Sequence, residues 1–193
     1  MRFRLFVSVV AITGLSACAF SPQKAEIKPD LQVYASNIGQ GKAVGVLVTD
    51  ERDSQDIGHR GSALINKAAT ISSEQNLAEV FRQAVFDGLK AKGFAPTDSN
   101  KSTGPQLKIE IRALDYSTST GFWTGGVDTK AAIKAIVTNS GTTYENFYRS
   151  SNEERVVVVP TADHNTELIN KVVNDVLSQL LADQALLGSL AKT

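Results

Sequence analysis

Leu107-Lys108-Ile109-Glu110-Ile111-Arg112-Ala113 alternates apolar and charged side chains without a break. With a side-chain period of two, this strand buries one face and offers Lys108, Glu110 and Arg112 to solvent on the other. Toward the C-terminus, Val127 to Thr138 alternates less cleanly, with Ile133, Ile136 and Val137 as core residues and Lys130 and Lys134 pointing outward. The turn Asn139-Ser140-Gly141 joins it to Thr142 through Ser150 as a hairpin, and Val156 to Val159 extends the last strand past a bend. From Asp163 to Leu187, the residues Leu168, Ile169, Val172, Val173, Val176, Leu177, Leu180 and Leu181 recur as a wide helical stripe. The opposite side of that helix carries Asn170, Lys171, Asn174, Asp175 and Asp183. It is not the basic face of a helix lying on a membrane, so the stripe reads as core.

Toward the N-terminus, a second helix opens at Ser72-Ser73-Glu74-Gln75. Ser72 and Gln75 have capping-box spacing, and Glu74 complements the positive helix end. Leu77, Val80, Phe81, Ala84, Val85 and Leu89 form its stripe, and Gly93 is placed to stop it in the left-handed conformation. Ser62 to Ile71 reads as a short strand or hairpin arm. Ala43-Val44-Gly45-Val46-Leu47-Val48-Thr49 is a β-branched run suited to a central strand. The order strand, helix, strand, strand, strand, helix gives an α+β two-layer sandwich, a mainly antiparallel sheet with two long helices on one face.

Before this domain the chain changes character. Arg2 and Arg4 precede the apolar run Leu5 to Gly14, and Leu15-Ser16-Ala17-Cys18 follows with the only cysteine of the chain. This is the layout of a secretory signal peptide, residues 1–17, ending at a lipidation site. Taken as a helix, Leu5 to Ala17 covers about 20 Å, short of the ~30 Å core of a bilayer, so acyl chains on Cys18 must do the anchoring. The competing reading is cleavage after Ala19 at an A-x-A site, which would release a soluble protein. From Cys18 to Lys42, Pro22, Pro29, Gly39 and Gly41 interrupt a polar stretch that reads as a flexible tether with a root-mean-square span of roughly 25–30 Å. Residues 43–193 form one domain.

Loss of Arg2 and Arg4 leaves 18 basic against 20 acidic side chains. That balance excludes the basic face of a nucleic-acid binder. With Cys18 acylated, the mature domain has no cysteine left for a disulfide.

Leu15-Ser16-Ala17-Cys18 resembles the lipobox of bacterial lipoproteins. The resemblance implies a diacylglyceryl thioether on Cys18, cleavage before it, and acylation of the new amino group. Ala19 at the next position, not aspartate, implies passage to the outer membrane with the domain facing the periplasm. Downstream, Val46-Leu47-Val48-Thr49-Asp50-Glu51-Arg52, Ile57-Gly58-His59-Arg60, Leu89-Lys90-Ala91-Lys92-Gly93-Phe94, Leu114-Asp115-Tyr116, Lys130-Ala131 and Tyr148-Arg149-Ser150 follow in order. Together with the lipobox they resemble the YajG family of uncharacterised outer-membrane lipoproteins, which implies location and fold and carries no established activity.

Catalytic signatures are missing from the sequence. His59 and His164 lie far apart, neither belongs to a zinc spacing such as H-E-x-x-H, and no serine sits in G-x-S-x-G. No cofactor is implied. Two polar or aromatic clusters are candidates for partner contact. Asp50 and Arg52, with Asp53 and Arg60, follow the first strand of the domain, where arginine forks could meet a carboxylate or phosphate, against the alternative of internal ion pairs. Phe122 and Trp123, flanked by glycines, read as exposed aromatics that anchor a partner, against the alternative of a tip folded back on its hairpin. The functional expectation is a lipid-anchored, non-catalytic binding or scaffolding module. Its partners are membrane lipid, through Cys18, and another envelope protein or component. The alternatives are a peptidoglycan-directed hydrolase and a soluble periplasmic ligand carrier.

Overall fold

A computed structural model describes residues 21–60, 69–120, 125–156 and 160–192. Eight strands and three helices follow in the order β1 (Gln23–Lys24), β2 (Ala43–Asp50), β3 (Asp56–Arg60), β4 (Ala69–Ser72), α1 (Leu77–Ala91), β5 (Ala95–Asp98), β6 (Gln106–Thr120), β7 (Gly125–Asn139), β8 (Thr142–Val156), α2 (Ala162–Ala182) and α3 (Gln184–Ala191). The fold is α+β, built on one eight-stranded sheet. That sheet is mostly antiparallel, as expected, but it is mixed. β6, β7 and β8 form a long antiparallel meander, whereas β2 runs parallel to β5 and β6, β3 parallel to β6, and β1 parallel to β4.

β6 organises the sheet. One of its edges pairs with β7 along its whole length; the other pairs with β2 through Gln106–Ile111 and then with β3 at Tyr116. Between Ile111 and Ala113 a bulge shifts its register, so the buried series Leu107, Ile109, Ile111 continues as Leu114 and Tyr116. Val127, Ala131, Ile133, Ala135 and Val137 supply the same inner face from β7. α1 packs on β2 and β5, α2 on β7 and β8, and the two helices touch each other. Phe81, Leu89, Ile133, Ile169 and Leu177 sit in one buried cluster between these elements.

The helix boundaries differ from the sequence expectation at both ends. Ser72 belongs to β4, and α1 starts later, where the Asn76 side chain accepts from the Glu79 amide. Gln75 is spent elsewhere: its amide group holds both the N–H and the C=O of Ile27. Gly93, at φ +82°, ends the helix as expected. The last helix does not run to Leu187. It stops at Ala182, and Asp183 caps a separate α3.

The expected tether also takes a different form. Residues 23–42 lie against the domain: Ala25 and Ile27 are core residues, and Asn170 and Asn174 of α2 accept from the amides of Lys28 and Asp30. Further on, Lys92 donates to the Tyr34 carbonyl and the Ser36 amide to that of Ala91. Prolines and polar residues suppress periodicity here, but the side-chain amides of Gln75, just ahead of α1, and of Asn170 and Asn174 on α2 pair backbone groups of this N-terminal strap as a neighbouring strand would.

Candidate functional site

The face of β6, β7 and β8 turned away from the core is the most distinctive exposed surface among the described residues. Phe147 of β8 is 45% exposed there, opposite Lys134 of β7. The Lys134 ammonium and the Arg149 guanidinium lie 5.6 and 5.0 Å from the centre of its ring. Two cations over the ring hold it in place by cation–π attraction while leaving it accessible. Lys134 is itself paired with Glu145 at 2.7 Å. Beside this cluster, Ala113, Ala132 and Ser151 floor a hollow of about 320 Å³, with Asp115, Lys130 and Arg149 among its lining residues. Small side chains on three adjacent strands make the dip, and charged ones rim it.

On the same face, Glu110 is nearly covered by Lys108 at 2.7 Å and by Arg112. The hydrogen bond from Lys108 and the bond from Arg112 outweigh burial and hold its carboxyl below the ordinary carboxylate range. The three residues expected on the open face are there, joined into a triplet of two cations on one carboxylate.

The sequence-predicted cluster after β2 is partly assembled. Arg52 donates from Nε and Nη2 to the two carboxylate oxygens of Asp50, each at 2.9 Å. Burial pushes the Asp50 carboxyl up, and its bonds to Arg52 more than reverse that, leaving it below its usual value. The Arg52 side chain is only 6% exposed, and its Nη1 has no hydrogen-bond partner among the described residues. Arg60 is buried and donates to the Ser21 carbonyl at 3.0 Å. Asp53 is exposed. Cys18, Phe122 and Trp123 lie outside the described residues.

Asp183 forms a cluster that sequence spacing does not reveal. Its Oδ1 caps α3 by accepting from Ala185 and Leu186, and its Oδ2 accepts from Tyr148 at 2.6 Å, Tyr144 at 2.9 Å and Asn146 at 3.0 Å. Burial raises its pKa, but the Tyr148 hydroxyl, the Leu186 amide and the other donors bring it down to about 2. The donors sit 35 to 39 residues away in sequence, so only the alternation Tyr144-Asn146-Tyr148 hinted at a polar inward face. Asp183→Ala removes a helix cap and three charge-assisted bonds, and is expected to cost about 2–4 kcal/mol in urea denaturation at pH 7. Because the folded carboxyl is depressed below its ordinary ~3.9, this contribution is complete above about pH 4. It disappears as pH falls through about 2. The gap between parent and Asp183→Asn should narrow over that window.

His164, at the start of α2, is bonded to Glu154 at 2.8 Å and faces Glu167 at 3.5 Å. The bond to Glu154, and then the second carboxylate, raise its pKa above 6.5. An NMR titration should find the His164 midpoint above 6.5, falling in Glu154→Gln. The ion pair is therefore fully formed below the ordinary histidine pKa and is lost as pH rises through the folded one.

No group of three or more His, Cys, Asp or Glu among the described residues is arranged to hold a metal ion. Nor is any described helix long and apolar enough to cross a membrane.

Several solved structures are similar in outline. A Xanthomonas campestris protein of family model DUF330 shares 11% identity at TM-score 0.49, covering 84% of this chain and 91% of that one. A Helicobacter pylori homolog of a neuraminyllactose-binding hemagglutinin shares 8% at TM-score 0.46, covering 87% and 96%. Lipoprotein GNA1162 from Neisseria meningitidis shares 15% at TM-score 0.25, covering 74% and 99%. No curated protein matches the sequence.

The class of protein is an uncharacterised lipoprotein with an α+β fold. The chain belongs to the uncharacterized lipoprotein family Lipoprotein_16, the YajG-like group, whose model matches residues 29–190. The matched range begins within the strap.

Proposed function

We propose that this protein is a lipid-anchored, non-catalytic docking module on the periplasmic side of the outer membrane. In this reading α1 and α2 cover one face of the sheet, and the other face receives an envelope protein or component. Cys18 carries the acyl chains. The observation that supports docking is the Phe147 ring, exposed and held by Lys134 and Arg149 beside a shallow charged-rim hollow. An aromatic pre-positioned by cations contributes contact area to a partner at little cost in side-chain entropy. Phe122 and Trp123 join this reading as aromatic contacts on the chemistry of their rings alone.

A photo-crosslinking side chain at position 147 should trap one discrete adduct in cells. Arg149→Glu should abolish the adduct and leave the melting temperature unchanged. An adduct insensitive to Arg149→Glu would remove the open face from the proposal. Release of muropeptides from peptidoglycan by the purified protein would overturn the non-catalytic reading. A second reading, capture of an acidic ligand at Arg52, draws on its Nη1, which has no hydrogen-bond partner among the described residues. It predicts that Arg52→Lys loses binding with little change in stability.

A further inference from the structure

Once the strap is seen to be packed, the distance between the anchor and the domain shrinks. Between Cys18 and the first described residue, Ser21, lie two residues, which span about 10 Å at full extension. A tether reaching to Lys42 would let the domain stand roughly 25–30 Å off the bilayer, whereas this link limits the separation to about 10 Å.

The chain is gripped as soon as it reaches the domain. Arg60 holds the Ser21 carbonyl at 3.0 Å. Gln23, 5% exposed, donates to the Ala162 carbonyl at 2.7 Å and to Thr166 Oγ1 at 3.3 Å. Fully buried Asn165 donates to Gln23 Oε1 at 3.0 Å and accepts from the Tyr116 hydroxyl at 2.7 Å. Such a satisfied, buried polar network has one geometry, because slipping the strand would orphan several groups at once. Two residues later Ala25 and Ile27 enter the core.

The strand directions decide which end of the molecule this grip marks. β1 is parallel to β4, β4 antiparallel to β3, and β3 parallel to β6. β1 therefore starts where β3 and β6 finish. At that same end β7 begins, β8 finishes at Val156, and α2 begins at Ala162.

We propose that this end of the sheet, marked by Ser21, Arg60, Thr120, Gly125, Val156 and Ala162, rests against the lipid headgroups of the membrane that holds the acyl chains. The placement depends on acylation of Cys18. β7 has 15 residues at ~3.4 Å each, so the Asn139–Gly141 turn stands about 50 Å from the bilayer surface. The open face of β6, β7 and β8 then stands upright, reachable from the side.

The test uses the full acylated chain in phosphatidylethanolamine–phosphatidylglycerol vesicles. Acylation consumes the only native cysteine, so Ser119→Cys and Ser140→Cys each accept a single nitroxide, near and far from the marked end. With a nickel-chelating lipid in the vesicles, relaxation enhancement is expected at 119, several-fold above that at 140. Inserting a 20-residue Gly-Ser segment after Ala19 should collapse that difference while the protein stays membrane-bound. Equal relaxation at both positions, in protein whose mass includes the acyl chains, would overturn the placement alone. A mass without acyl chains on Cys18 would overturn the anchoring itself, and the placement with it.

Discussion

Val176→Asp is expected to abolish the folded state of this domain. Val176 is completely buried in the apolar stripe of α2, within the cluster that also holds Ile133 and Ile169. An aspartate there has two options. It stays ionised without a partner, or it takes up a proton and gives up the free energy of ionisation at neutral pH. Either costs several kcal/mol, about 4 or more, against a total stability of about 5–15 kcal/mol. Val176→Ala separates the lost apolar contact from the buried charge, since removing two methylene equivalents costs only about 1.5–2.5 kcal/mol. In thermal unfolding followed by circular dichroism, the alanine variant should melt cooperatively at a lower temperature and the aspartate variant should show no transition. A folded Val176→Asp that has lost a partner would instead make this helix face an interface.

That stripe was legible in the sequence because every contact it makes falls on a 3.6-residue period. The first half of β6 was legible for the matching reason, a period of two. Its second half was not, because the bulge at Arg112 moves the inward series from Ile111 to Leu114, and strict alternation reads as broken. β7 alternates through its length, yet Thr129, Ala131 and Ala135 on its inner face are too small or polar to register as core. β8 turns Tyr144, Asn146 and Tyr148 inward to satisfy Asp183, so its buried side looks hydrophilic. The strap was the largest departure. Its burial depends on Gln75, Asn170 and Asn174, which lie 48 to 144 residues away and leave no local signal.

The candidate site divides along the same line. The Asp50–Arg52 pair is two residues apart and could be read directly, as could the charged face of Lys108, Glu110 and Arg112. The cluster around Phe147 could not, because Lys134 reaches it only through the β7–β8 register. Nor could the role of Arg60, whose partner Ser21 sits in a stretch that reads as unstructured.

Gly58→Ala is expected to be nearly as damaging as the buried charge, for a reason confined to the backbone. Gly58 is the described pairing point of β3 with β6, opposite Tyr116, and sits at φ +157° beside a register shift. A Cβ there would lie 1.8 Å from the Tyr116 carbonyl oxygen and 2.8 Å from its carbon. No side chain can rotate aside to relieve that overlap, so β3 must move off β6. The expected cost is about 3–4 kcal/mol, or roughly 6–16 °C in melting temperature for a domain of this size. Gly141→Ala is the control. Its φ is +78° and no atom lies within 4 Å of the added carbon, so only the left-handed backbone penalty of about 1–2 kcal/mol applies. Equal losses in the two variants would show that conformation, not the clash, governs Gly58. The consequence reaches past stability, because β3 carries Arg60 two residues on and Tyr116 donates to Asn165. Displacing β3 disturbs both supports of the N-terminal strand. The nitroxide difference between positions 119 and 140 should therefore shrink in Gly58→Ala at temperatures where the domain is still folded, and persist in Gly141→Ala.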